Sequence, residues 1–410
     1  MVPGDPTVPA EPVRAAPNRP GERALSAARL LWPEPAKAVV AHRPPAGLEG
    51  RVHIFVLVPG ARRPWWLLPA HRAAAAQALE RIDVGQRSAI VWKALATAQR
   101  TGVLARIPGK RRLYVTVPPG SRTIESELAR GIGDEVDVCV RLGRSRQNRS
   151  IVLRLIDGRD HTCGIAKLST SDSGDLVLQR ERQNLQRIAD GLPHAITAPR
   201  LLHHGSWNGR DLMIMEALTA VSSPRARTTL PLNQMLELAR SWTAVSSRLS
   251  QTPFVQDQRR RADALPEDAT ADSLRAAVDQ LDQRWGARRL TVGSWHGDWV
   301  SWNMARTPQG IQLWDWESFA EGVPLGWDPV HYLAQDQRMH RGTDENAEDG
   351  WRVQAARLLR DALGLDDEAV EATLFGYLIE LNLRYVEDRD PGESIRSPRR
   401  GWGLPLLARM

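Results

Sequence analysis

The chain has 410 residues, 42% of them hydrophobic, with a formal charge of +7 and two cysteines. That length allows a substantial core in two or three structural units, while no apolar run is long enough to span a membrane and the Pro-rich start lacks the apolar centre of a signal peptide. Cys139 and Cys163 make neither a disulfide framework nor a metal site, so a reducing cytoplasm is the default, with both thiols facing one another or the core from adjacent strands.

Residues 1–48 hold ten prolines and little periodicity apart from a short helix around Glu22 to Leu31, and read as a mostly flexible leader. Residues 49–120 read as a basic α+β module. Its elements are a strand from Arg51 to Val58, a second at Trp65–Leu68, a helix near His71 to Arg81, and one from Val84 to Thr101 with Ile90, Leu95 and Ala98 available for burial. Leu104–Ile107 and Leu113–Val117 then read as a hairpin across Pro108-Gly-Lys110.

Residues 51–130 hold 14 Arg or Lys against 4 acids. Such an excess can meet phosphate, anionic lipid or an acidic partner, but it is more often a solvated surface, and on that ground nucleic acid is not the expected partner. The module can extend a neighbouring lobe, shape an acceptor site or mediate a homodimer.

Ser121 is placed to cap a helix running to about Gly131, with Glu125 and Glu127 in its first turns. Strands follow at Val136–Leu142 and Ile151–Ile156 around the polar loop Gly143–Ser150, which includes Ser145. A third strand carries Lys167. Only four lysines occur, and none lies beyond 167. A compact ammonium for phosphate is one reason to keep a lysine in so arginine-rich a chain.

A helix from Leu176 or Gln179 to Ala189 offers Glu181. Strands at Pro199–His203 and Asp211–Glu216 lead to Glu216-Ala-Leu218. A helix over Pro231–Ser247, a polar interval over Gln256–Thr270 and a helix near Asp272–Trp285 come next.

The stretch from Ser294 to Met304 places a carboxylate, Asp298, five residues before a carboxamide, Asn303. Leu313-Trp-Asp-Trp-Glu317 supplies a second carboxylate, Asp315, after a hairpin turn at Thr307–Gly310 that brings it back toward Asn303. A hydroxyl attacking a γ-phosphate needs one group to orient it and take its proton, and Mg²⁺ to meet the developing charge. Asp298 suits the first task. Asn303 and Asp315 supply the hard oxygens that Mg²⁺ prefers.

Beyond these, Asp328-Pro329 reads as a helix start toward Gln335. Gly342–Gly350 is acidic. Helices near Trp351–Leu363 and Asp367–Asp388 complete the chain before a loose tail from Pro391.

His296-Gly-Asp298 with Asn303, followed by Asp315, resembles the catalytic and metal-binding pair of the aminoglycoside phosphotransferase and choline kinase group, relatives of the protein kinases. Trp316-Glu317 after Asp315 is nearer to the choline kinase style. The resemblance covers roughly residues 130–390.

It implies an α+β, bilobal, protein-kinase-like fold with a β-rich N-lobe over 121–218 and a helical C-lobe over 219–390, followed by the tail at 391–410. It also implies ATP or GTP, Mg²⁺, and transfer of phosphate to a hydroxyl of an aminoglycoside, sugar, nucleoside or amino alcohol. Asp298 is then the catalytic residue, with His296 and Asp328 bracing its loop. Lys167, Glu181, Ser145, Glu216 and Leu218 hold the nucleotide, Asn303 and Asp315 the metal, and Asp344, Glu345, Glu348, Trp299 and Glu317 are candidates for the acceptor. A nucleotide-binding regulator with weak catalysis, or a nucleic-acid-associated protein using the basic module, are the alternatives.

Overall fold

The computed structural model describes residues 21–46, 49–60, 64–80, 86–142, 149–218, 229–242, 244–340, 345–387 and 407. Its upper half is one antiparallel sheet of nine strands. The strands are β1 (Lys37–Ala41), β2 (Arg51–Val58), β3 (Trp66–Pro69), β4 (Arg112–Val117), β5 (Val136–Arg141), β6 (Ser150–Asp157), β7 (Thr162–Ser169), β9 (Leu201–Trp207) and β10 (Arg210–Met215). They lie in the order β1-β4-β2-β3-β5-β6-β7-β10-β9, so the front module and the lobe carrying Lys167 share a continuous ladder through the β3–β5 pair.

Alternation along the strands sends one set of side chains to each face. Helices α1 (Glu22–Leu31) and α5 (Ile124–Ile132) contribute to the core on one face, which includes Phe55, Leu113, Leu153 and Leu168. A second core gathers Val56, Leu68 and Cys139 with residues of α2 (Gln77–Glu80), α3 (Gln86–Arg100) and α4 (Val103–Arg106). Helix α6 (Asp172–Ile188), capped by Ser171, brings Leu185 and Ile188 into a third core shared with Trp299, Met304, Leu313, Trp316 and Phe319 of the loops below.

The lower half holds α7 (Leu232–Ser241), α8 (Pro253–Asp263), α9 (Ala269–Trp285), α10 (Trp327–His340), α11 (Glu345–Leu363) and α12 (Asp367–Glu387). Two small sheets join them: β11 (Val245–Arg248) with β12 (Arg289–Trp295) and β15 (Ala320–Pro324), and the hairpin of β13 (Met304–Thr307) and β14 (Gly310–Leu313) with the short parallel strand β8 (Ile196–Thr197). The fold is therefore bilobal and protein-kinase-like, with a β-rich upper lobe and a helical lower one.

Several sequence expectations are corrected. The short helix expected at Glu22–Leu31 is present as α1, with Ala24, Ala27, Ala28 and Leu31 its buried stripe, but the residues after it are not a flexible leader: Trp32 is buried and β1 pairs with β4. Residues 103–106 are helical, and Arg112 donates to the Ala105 and Ile107 carbonyls, so β4 pairs with β1 and β2 instead of closing a hairpin.

On α3, Ile90 is 72% exposed, and Trp92, Ala96 and Gln99 take the inward face. The cap of α5 is Thr123, locked by reciprocal bonds with Ser126, not Ser121. Helix α7 ends at Ser241 because residues 245–248 pair with β12 as a strand, and most of the polar interval from Gln256 is helix α8. The two cysteines sit on β5 and β7 with β6 between them, both as free thiols. Of the tail, only Leu407 is described, and it is buried in the lower core.

Candidate active site

Strand β12 ends at Trp295 and delivers the loop His296-Gly-Asp298. Gly297 has φ 85°, and a Cβ there would sit 2.2 Å from the Ser318 carbonyl oxygen, so only glycine allows the turn. Asp328, in the first turn of α10, holds this loop from behind: its carboxylate accepts the N–H of His296 at 2.8 Å and that of Gly297 at 3.1 Å. Burial pushes Asp328 up to about 7 against the opposing pull of those two bonds and of Arg384.

From α12, Arg384 donates to the Gly297 carbonyl at 2.7 Å and to Glu380 at 2.6 Å, with its guanidinium 4.6 Å from the Trp295 ring. Burial works to raise Glu380, yet Arg384 and Arg261 hold it down at about 2.

The Asp298 side chain is 37% exposed, and each of its oxygens has a partner. Oδ1 lies 3.1 Å from Nε2 of His331, and Oδ2 accepts from Asn303 Nδ2 at 2.8 Å. The same Nδ2 reaches the Asp298 carbonyl at 3.1 Å, which leaves the amide oxygen of Asn303 to face elsewhere. Asn303 is fixed in turn by a short 3₁₀ turn, and its carbonyl accepts the Trp314 N–H at 3.0 Å, joining the Asp298 loop to the Asp315 strand end.

His296 is fully buried. Its Nδ1 accepts the Asp298 N–H at 3.2 Å, its ring lies 4.6 Å from that of Trp316 in an edge-on arrangement, and burial lowers it to about 4. The enclosed imidazole, with Nδ1 engaged by the Asp298 N–H, braces the turn between His296 and Asp298.

Asp315 follows β14 in the left-handed region at φ 73°, a conformation that Asp adopts more readily than most side chains. Its Oδ1 is 2.6 Å from Lys167 Nζ, while the two oxygens of Glu181 are 2.7 and 2.6 Å from the same nitrogen. Burial opposes the Lys167 ammonium, but Asp315, Glu181 and Glu317 outweigh it and hold its pKa above the ordinary lysine value. Glu317 stands in the next turn, and burial followed by the Asp315 charge pushes it up to about 8. Oxygens of Glu181, Asp315 and Glu317 lie within 4.8 Å of one another, a hard-oxygen set of the kind that suits a divalent cation.

The structure thus brings Lys167, Glu181, Asp315 and Glu317 into one cluster, and Asp298, Asn303, His296 and Asp328 into an adjoining one. Glu317 belongs to the first cluster and not to a separate acceptor face. Trp299 is fully buried and donates to Met304 Sδ, so it offers no face to an acceptor; Trp295, Trp316 and Trp327 are buried as well. Glu216 follows β10, but its N–H is engaged by the Arg200 carbonyl at 2.8 Å and its carboxylate by the Arg200 side chain at 2.9 Å; Leu218 is buried. Ser145 and Asp344, and the side chains of Glu345 and Glu348, lie outside the described residues.

Sequence reasoning missed His331 and Tyr377. The available signal was the three-residue step from Asp328 to His331, which puts both on one face of a helix.

No protein-family model and no curated protein matches this chain. Among solved structures it is similar to a thermostable mutant of aminoglycoside phosphotransferase APH(4)-Ia in a ternary complex with ADP and hygromycin B, at 14% identity and TM-score 0.48 over 70% of this chain and 98% of that one. It is also similar to LicA in complex with AMP, at 18% identity and TM-score 0.43 over 70% and 94% of the two chains. A third is the GDP and kanamycin complex of an aminoglycoside 2″-phosphotransferase, at 14% identity and TM-score 0.41, with 69% and 96% covered. The fold class stands on the strand order and lobes described above.

Proposed function

We propose that the chain is a phosphotransferase that moves the γ-phosphate of ATP or GTP to a hydroxyl of a small molecule in the cytoplasm. The observation that carries this reading is the Asp298 carboxylate, partly exposed and gripped on both oxygens, beside a buried lysine paired with two carboxylates. Lys167 is placed to meet the donor phosphates, and Glu181 fixes its reach. Asp298 orients the acceptor hydroxyl and takes its proton.

Asp315, the amide oxygen of Asn303 and Glu317 are the oxygens that would hold Mg²⁺. When bound, that ion neutralises charge on the transferring phosphoryl group.

The test is a metabolite-library assay with ATP and GTP, reading donor consumption and product mass, on the native chain and on Asp298→Asn. The expected result is a product one phosphoryl group heavier, with kcat about 100-fold or more lower in the variant and nucleotide affinity retained. Native-like turnover in D298N would remove Asp298 from the chemistry.

A further inference from the structure

Asp298 does not stand alone. Behind it, a buried line runs through His331 on α10 to Tyr377 on α12, with contacts of 3.1 Å at each step. Both rings are almost wholly enclosed, and the Trp295 and Trp327 rings stand edge-on to His331 and Tyr377 respectively.

The proton positions follow from chemistry. An ionised carboxylate only accepts, so Nε2 of His331 carries the hydrogen. A neutral imidazole has one donor and one acceptor, so Nδ1 accepts and the Tyr377 hydroxyl donates. Burial disfavours the imidazolium, and Arg384 and Arg338 add to that effect against the pull of Asp298. Tyr377, whose hydroxyl burial holds un-ionised, keeps its proton to give.

We propose, resting on the phosphotransfer reading, that His331 is a positioning residue: its Nε2–H, set in one tautomer by the Tyr377 hydroxyl, aims the Asp298 carboxylate at the acceptor hydroxyl. Asn303 holds Oδ2 and His331, from α10, holds Oδ1, so the carboxylate plane is fixed at both oxygens. In the transfer step, the acceptor O–H proton passes to Asp298 as that oxygen bonds to the γ-phosphorus. The bond from the γ-phosphorus to the bridging oxygen breaks, and its electron pair leaves with the nucleoside diphosphate. His331 gains and loses no proton in this step; it remains a donor to Asp298 throughout.

Two measurements test this. The first needs no turnover: long-range ¹⁵N–¹H spectra of the full chain labelled at histidine nitrogen. They should show His331 neutral with hydrogen on Nε2, and Tyr377→Phe should disturb its Nδ1 signal. A proton on Nδ1, or a charged ring at neutral pH, overturns the proposal.

The second is kinetic. His331→Phe, which keeps a ring but has no donor, should lower kcat about 10- to 100-fold with the KM for nucleotide unchanged, while His331→Gln, which retains an N–H, should recover most of the loss. A part in folding alone would move the melting temperatures of both variants and leave kcat of the folded fraction alike, and that result also overturns the proposal. If the native chain has the Nε2–H tautomer but phosphorylates nothing in the library, the phosphotransfer reading falls and takes the purpose of the His331 contact with it. If native turnover is present and H331F equals native, the positioning role alone falls.

Discussion

Gly297→Ala is the sharpest perturbation the site offers. Two costs arise at this position. A side chain at φ 85° carries the strain of a left-handed backbone, about 1–2 kcal/mol. The new Cβ would also sit 2.2 Å from the Ser318 carbonyl oxygen and 2.8 Å from its Cβ. Ser318 closes the turn that carries Trp316 and Glu317, so relief must come from moving the 297 loop.

That motion stretches the Gly297 N–H bond to Asp328 and the Arg384 bond to the Gly297 carbonyl, each involving a charged group and worth about 1.5–3 kcal/mol. Together the effects come to about 4 kcal/mol or more, which as a misplaced Asp298 corresponds to turnover lower by about 1000-fold. Gly102→Ala is the control: φ is 72° and nothing lies within 4 Å of its Cβ, so only the strain applies. Thermal denaturation and turnover of the two variants side by side separate the terms. A G297A protein as stable and active as G102A would refute the account of the loop.

Two further outcomes follow from buried charge. Lys167→Met leaves Glu181, fully buried, without its cation; breaking such a pair costs about 3–5 kcal/mol, so both the melting temperature and nucleotide affinity by calorimetry should fall, and a variant unchanged in both would contradict the cluster.

Glu125 in the upper lobe accepts from Trp32 Nε1 at 2.9 Å, and burial pushes it up from 4.5 to about 7. The folded state therefore holds that proton more tightly than the unfolded one. Its stabilising effect is full below pH 4.5 and lost as pH rises through about 7, a span worth about 3 kcal/mol. Native minus Glu125→Gln stability, measured by denaturant titration from pH 4 to 8, should slope downward across that window; a flat difference would show that Glu125 ionises normally.

The parts of the site that were legible in sequence are those fixed by short spacing. The hairpin at Thr307–Gly310 has to return Asp315 beside Asn303, and strand alternation on β7 turns Lys167 inward with Ser169. What was illegible depends on long-range packing. Trp299 reads as a stacking surface until the loop folds over it, and Leu104–Ile107 reads as a strand until the Arg112 side chain engages the Ala105 carbonyl inside the short helix and that of Ile107 at its end. Val245–Arg248 continues an apolar helical stripe on paper, but β12 offers it a ladder. Tyr377 lies 46 residues from His331, so nothing local joins them.

The β3–β5 pairing has an implication for handling the protein. β5 has five consecutive buried positions, from Val136 to Val140. A fragment begun after residue 120 would strip β3 from the Val140–Arg141 end of β5, opening a backbone border beside that buried run to other chains and inviting aggregation. The front segment therefore acts as a seam cover for the lobe that carries Lys167, and trimming the gene to the residues after 120 is the wrong route to crystals.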